Sequence, residues 1–189
     1  MESILKPVNV KSLKDNVFKL LDNDWMLVTA GNKESFNTMT ASWGTFGILW
    51  NKPIAIGFIR PHRYTFEFIN KADYFTLAFF SEQYREALNY IGSHSGRTTD
   101  KIGQTGLSPL STERGNIYYA EARLVMECKK LYSDDLKAEN FMISTLVKDI
   151  YPSKDFHRFF IGEIISCLSS ESLLPEKDIK LKDREISDL

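Results

Sequence analysis

The stretch from Asn37 to Thr65 restricts the fold more than any other part of the chain. Phe36, Thr38, Thr40 and Ser42 fall on one side of an extended segment, and Asn37, Met39, Ala41 and Trp43 on the other. A period of two is the mark of a β-strand. This strand is polar while the runs around it are apolar, so its hydroxyls and amide suit a polar, hydrogen-bonding ring. Gly44 and Gly47 follow, and both allow a ligand close to the backbone. A second strand, Pro53–Ile59, then delivers Arg60, His62, Arg63 and Thr65 into a turn that opens a helix. Guanidinium groups at a helix N-terminus favour an anion. From residue types alone two readings stay open. One is a ligand with a flat ring and an anionic tail, as in flavin mononucleotide (FMN). The other is an ordinary edge strand facing water, with the arginines as surface charge.

The rest of the chain reads as further strands with helices between them. Met1–Val10 has little pattern and reads as an arm. Asp15–Leu21 reads as a short helix capped by Asp15, with Val17, Leu20 and Leu21 inward. Asp24–Gly31 is a strand ending in a turn, and Phe36–Trp43 is its hairpin partner. Thr65–Lys71 is helical, and Tyr74–Phe80 is a strand buried on both faces. Ser81 suits an N-cap for a helix carrying Tyr84, Ala87, Leu88 and Ile91 on one face and stopping at Gly92. A loop rich in glycine, hydroxyls and bases follows, with a single turn at Asp100–Gly103. Ile117–Tyr132 alternates as a half-buried strand, Leu136–Lys148 is open to a helix, and Phe156–Ser169 is a long strand bulged at Gly162. Many strands with short connections imply a mainly β, closed or nearly closed antiparallel barrel carrying helices.

Length and charge narrow the function classes. The 189 residues suffice for one core, so a single domain spanning 1–189 is expected. Net charge is −1, which disfavours a nucleic-acid binder working through bulk positive charge. Cys128 and Cys167 stand far apart in apolar runs and read as buried thiols. The three histidines are too dispersed for a recognised metal motif, so no metal is expected. There is no signal segment and no apolar run of about 20 residues, so no membrane association is expected and a cytoplasmic protein is the expectation.

Several ordered blocks resemble the flavin reductase-like, FMN-binding split-barrel family, and within it the flavoredoxin branch. They are Asp24–Gly31, Asn37–Gly44, Phe58–Thr65, Phe75–Phe80, Ser95–Lys101 and Phe160–Ile164. The resemblance implies a Greek-key split β-barrel, usually a homodimer with flavin near the subunit interface. The arm at 1–10 and the tail at 171–189 are open to packing on a partner subunit.

By resemblance, Asn37, Thr38, Met39, Thr40, Ser42 and Trp43 line the flavin ring. Alternation favours Thr38, Thr40 and Ser42, through side chains or backbone N–H groups. Trp43 either stacks on the ring or fills the core. Arg60, Arg63 and Thr65 are candidates for phosphate and ribityl, although one arginine is open to a salt bridge, for example with Glu67. Ser95, Gly96, Arg97 and Lys101 form a second anion-binding candidate, as glycine loops with hydroxyls and cations do. The alternative is a solvated loop. His157 leads into Phe160–Ile164, where the family often has a histidine. It is either a surface residue or a group that orients the donor or aids proton transfer, with a pKa near neutrality.

The implied activity is hydride transfer from NADH or NADPH to FMN, with electrons passed to free flavin, oxygen or a redox protein. A flavoredoxin-like electron carrier without a nicotinamide site is the first alternative, and a non-catalytic flavin sensor is the second. No G-x-G-x-x-G follows a strand, so no Rossmann domain would hold the dinucleotide.

Overall fold

A computed structural model describes residues 5–170. Its strands are β1 Lys6–Pro7, β2 Met26–Gly31, β3 Phe36–Ala41, β4 Gly44–Leu49, β5 Lys52–Ile59, β6 Tyr74–Phe79, β7 Pro109–Ser111, β8 Ile117–Tyr119, β9 Leu124–Asp135 and β10 Arg158–Ser169. Its α-helices are α1 Tyr64–Lys71, α2 Arg85–Ser93, α3 Lys101–Thr105 and α4 Ser144–Ile150.

The main sheet is antiparallel, in the order β3-β2-β6-β9-β10-β5-β4. β3 and β4 lie at its two ends, yet only Ser42 and Trp43 separate them in the chain. A sheet whose ends are joined so closely must curl back on itself. The result is a barrel left unzipped along one seam, between β3 and the β4–β5 hairpin.

Two apolar layers hold this shape. Inside the barrel lie Met26, Val28, Met39, Ala55, Phe75, Leu77, Phe79, Met126, Cys128 and Phe160. Outside β2, β6 and β9, a second cluster of Leu27, Ala78, Leu88, Ile91, Tyr119 and Val125 sits under α2 and β8. β6 is therefore buried on both faces, as its continuous apolar run implies. The bulge expected at Gly162 is present, as a register shift against β9. A Cβ there would stand 2.8 Å or less from Phe75 and Cys128. Both cysteines are free, buried thiols, and burial pushes Cys167 up to about 12.

Several expectations change. The span Ile117–Tyr132 is two strands separated by a turn, and its second strand is buried on both faces at Leu124–Cys128. That strand runs on to Asp135 because β10 pairs with it and Arg158 bonds Asp135. Leu136–Lys148 is accordingly not one helix; only Ser144–Ile150 is α-helical. Asn16, not Asp15, receives the first N–H groups of the amino-terminal helix, while Asp15 pairs with Arg123. Ser81 precedes a 3-10 turn without a side-chain cap bond, and α2 extends to Ser93. Gly44 and Gly47 belong to β4 rather than to a loose linker. Of the supposed arm, Lys6–Pro7 pairs with the end of β10. The tail 171–189 lies outside the described residues.

Candidate flavin site at the barrel seam

The seam holds two clefts that share Met39, His62 and Arg63. The wider, about 330 Å³, is lined by Met39–Trp43, Phe58, Arg60 and His157 among others. The narrower, about 130 Å³, is lined by Asn37, Thr65, Ser95, Gly96 and Lys101 among others.

β3 presents its backbone edge, and not its hydroxyls, to this space. Thr38 is buried, accepts a bond from the Thr29 hydroxyl at 2.9 Å and donates to the Val28 carbonyl at 3.3 Å. The Thr40 hydroxyl donates to the Leu88 carbonyl at 2.6 Å. The side chains expected to meet a ring are thus engaged on the α2 side of the sheet. Their backbones face elsewhere. Lys101 reaches the Thr38 carbonyl, so that group points away from β2. In an antiparallel end strand, N–H and C=O of one residue point the same way, and the pattern repeats two residues on. Thr40 therefore also turns its N–H and C=O outward. Ser42 lines the rim, and Trp43 stands 47% exposed beside His157 instead of filling the core.

The narrow cleft brings Lys101 and Arg63 together. Lys101, the first residue of α3, is only 5% exposed, and its ammonium is held by the Thr38 and Ile91 carbonyls. Burial, reinforced by the nearby Arg63 charge, lowers its pKa to about 8. Arg63 donates to the Gly92 carbonyl at 2.9 Å, and burial together with Arg60 lowers its pKa. Among the described residues neither cation has a carboxylate partner. The first turn of α1 opens here with no side-chain cap bond. Thr65 is buried, and its hydroxyl accepts a 2.7 Å bond from the Asn37 amide. Gly96 crosses so near that a Cβ would lie 2.0 Å from Asn37 Oδ1. Ser95 Oγ accepts the Arg97 N–H at 3.2 Å, which leaves the hydroxyl proton to donate. Lys130 caps the far end of α1 through the Ile69 and Asn70 carbonyls, so the helix is pinned at both ends.

The other two arginines are paired. Arg60 donates to Asp155 at 2.7 Å and to the Ile150 carbonyl at 2.9 Å, though it still borders the wide cleft. Arg97 pairs with Glu67 and lies over the Tyr64 ring at 4.7 Å. The carboxylate Glu67 thus takes Arg97 instead of Arg60 or Arg63.

His157 is neither a surface residue nor a group with a pKa near neutrality. It is 7% exposed, and desolvation with the Arg60 charge lowers its pKa to about 4. It is neutral at pH 7 and no acid there. Its Nδ1 lies 2.8 Å from the Tyr151 hydroxyl. Tyr151 and Asp155 were not singled out in the sequence, because Tyr151-Pro152 reads only as a chain break. Among the described residues Asp155 Oδ1, which is buried, has no hydrogen-bond partner, while Oδ2 takes Arg60 and lies 3.3 Å from His62.

A larger cleft, about 670 Å³, lies elsewhere, between α1 and the Gly31–Ser35 and Arg114–Asn116 turns. Its charges alternate in sign (Glu34, Glu67 and Asp73 against Lys71 and Arg114), so nothing converges on a ligand. Among the described residues no cluster of His, Cys, Asp or Glu could hold a metal, and no helix is long and apolar enough to cross a membrane.

A split barrel with a cationic seam defines a class, and the comparisons agree with it. Residues 20–180 match the flavin reductase like domain, and the chain belongs to that family. The FMN-binding protein of Thermus thermophilus, solved with bound 1-cyclohex-2-enone, is 25% identical with a TM-score of 0.62, over 81% of this chain and 74% of that one. The flavoredoxin of Desulfovibrio vulgaris (Miyazaki F) is 25% identical with a TM-score of 0.61, over 80% and 72%. The NADH:FAD oxidoreductase of Streptomyces globisporus C-1027 shares the fold at 16% identity, with a TM-score of 0.59 over 77% and 75%. No curated protein matches the chain.

Proposed function

We propose that this chain holds FMN in the seam and works as an oxidoreductase, accepting a hydride from NADH or NADPH and passing electrons to free flavin, oxygen or a protein acceptor. One observation carries the reading: the buried Lys101 and the half-buried Arg63 converge on one cleft, with only neutral carbonyls as partners among the described residues. Burying cations without a counter-charge is costly, and an arriving anion relieves that cost. A phosphate fits among Lys101, Arg63, the Ser95 hydroxyl and the first N–H groups of α1. A hydrogen-bonding ring fits the wide cleft along the outward backbone of Thr38 and Thr40, with Ser42 and Trp43 at the rim.

Bound flavin supplies hydride and electron chemistry. The protein's residues supply placement. Lys101 and Arg63 hold the anionic end, the β3 edge fixes the ring plane, and Asn37 braces Thr65 behind it. His157 borders the remaining space and orients the donor. The similarity to an FMN-binding protein at 25% identity supports the cofactor. The equal similarity to a flavoredoxin supports a second reading, an electron carrier with no nicotinamide site. A homodimer belongs to the proposal as well. Ile48 on the end strand β4 and Trp50 in the turn that follows it are 62% and 56% exposed, a surface that a second copy would cover.

The test is an absorbance titration with FMN, followed by anaerobic NADH and NADPH. Flavin bands that shift on binding and bleach with a nicotinamide donor support the reductase. Bands that persist until dithionite is added favour the carrier. No spectral change with FMN refutes the ligand.

A further inference from the structure

From the geometry we infer that Tyr151 is a positioning residue: its hydroxyl fixes His157 as the tautomer with the proton on Nε2, and so presents a neutral N–H donor to a carbonyl oxygen of the molecule that exchanges hydride in the seam. The inference rests on the flavin reading proposed above and extends it to the side of the cleft that faces the second reactant.

The hydroxyl lies 2.8 Å from Nδ1, and both side chains are buried. A phenol is a stronger donor than a neutral imidazole N–H, because it is much more acidic. The phenol therefore directs its proton to the Nδ1 lone pair. Among the described residues no other acceptor competes for that proton. Nδ1 therefore accepts, and Nε2 carries the ring hydrogen. Among the described residues Nε2 has no protein partner, and His157 borders the wide cleft next to Trp43, whose ring centre is 5.0 Å away.

The tyrosine is itself held in place. Its ring packs on Phe141 and Phe156, at 5.9 and 4.7 Å between centroids. Arg60 lies over it at 5.3 Å and ties the end of α4 to Asp155. The charged groups that face His157 are Arg60, Asp155, His62 and Arg63; the three cationic or titrating ones disfavour its protonation and Asp155 favours it. Burial and the arginines outweigh the single carboxylate, so the ring stays neutral. A neutral N–H suits a neutral carbonyl, such as a carboxamide or an enone, better than it suits a carboxylate, for which the arginines serve.

Two arms test this. In the first, the full chain without cofactor is labelled with 15N-histidine. The expected result is one histidine that stays in the Nε2–H tautomer from pH 5.5 to 8 and mixes tautomers in Tyr151→Phe. A His157 already in the Nδ1–H form, or unchanged in Tyr151→Phe, overturns the inference whether or not flavin binds. In the second, FMN-loaded Tyr151→Phe and His157→Gln are compared with the unaltered chain using NADH, NADPH and 1-cyclohex-2-enone as probes. The expected result is unchanged FMN affinity in Tyr151→Phe, with donor kcat/KM and enone affinity about three- to tenfold weaker there, the scale of one hydrogen bond, and at least as weak in His157→Gln. Equal values for Tyr151→Phe and the unaltered chain overturn the inference while leaving the flavin reading intact. Failure of the unaltered chain to take up FMN refutes that reading, and with it the reactant-side role.

Discussion

Lys101 donates its ammonium hydrogen to the main-chain carbonyl of Thr38, across the narrow cleft from Arg63. This bond fastens α3 to the open edge of β3 and leaves a cation facing the space assigned to phosphate. Lys101→Met is expected to weaken FMN binding by about tenfold to a hundredfold, the range for a lost charge-assisted hydrogen bond of about 1.5–3 kcal/mol. The pH dependence follows from the lowered pKa of about 8. The free chain loses the ammonium above that pH, so FMN affinity should fall there. Stability should move the opposite way. The folded pKa lies below the usual 10.5, so the ligand-free chain gains stability as pH rises from about 8 toward 10.5. Fluorescence titration and urea unfolding across that range read the two effects separately.

Gly96 passes Asn37 with no space for a side chain, since a Cβ would lie 2.0 Å from Oδ1. Gly96→Ala must push the Asn37 amide away from Thr65 or lift the loop that carries Ser95. Either movement disturbs the phosphate side and leaves the barrel core untouched. The expected outcome is a loss of FMN affinity of at least about tenfold, with a melting temperature within a few degrees of the unaltered chain. Normal affinity in this variant would remove the Ser95–Gly96 loop from the site.

Burial of a neutral His157 ties stability to acid. Its folded pKa of about 4 lies below the usual 6.5, so the unfolded chain binds the extra proton first. The stabilising contribution is complete above pH 6.5 and fades as pH falls toward 4. On the scale of 1.36 kcal/mol per unit, the loss amounts to about 3 kcal/mol at the acid end. Urea midpoints measured from pH 7 to 4 should fall less steeply in His157→Gln than in the unaltered chain. Parallel slopes would contradict the buried, neutral assignment.

These residues also show how far the sequence alone reaches. The strand Phe36–Ala41 was legible because a period of two depends only on the local chain. Which of its faces meets a ligand was not, since that depends on neighbours distant in sequence. Thr38 points to Thr29 of β2 and Thr40 to Leu88 of α2, which leaves the backbone edge for the cleft. β4 escaped notice because its hairpin turns at Trp50 and Asn51, with φ of 51° and 58°, where a glycine would have marked the turn. Lys101 was recognisable as a cation in a glycine-rich loop. Its burial is set by Thr38 and Ile91, and no local pattern announces it.

Arg60 and Arg63 are three residues apart and were equivalent in the sequence, but the fold gives them different work. Arg60 is occupied by Asp155 and the Ile150 carbonyl, so it braces the segment that carries Tyr151 and His157. Among the described residues Arg63 bonds only the Gly92 carbonyl, and it faces the proposed phosphate side. Arg63→Ala should therefore cost FMN affinity about tenfold or more and leave unfolding nearly unchanged, because removing a half-buried cation with no ion partner among the described residues also removes its desolvation cost. Arg60→Ala should do the reverse. It takes the ion partner from Asp155, which destabilises the fold and loosens the histidine, with a smaller effect on FMN. Paired FMN titrations and urea unfolding of the two variants separate these outcomes. Equal losses of flavin affinity would mean that Arg60 leaves Asp155 to join the phosphate when the cofactor arrives.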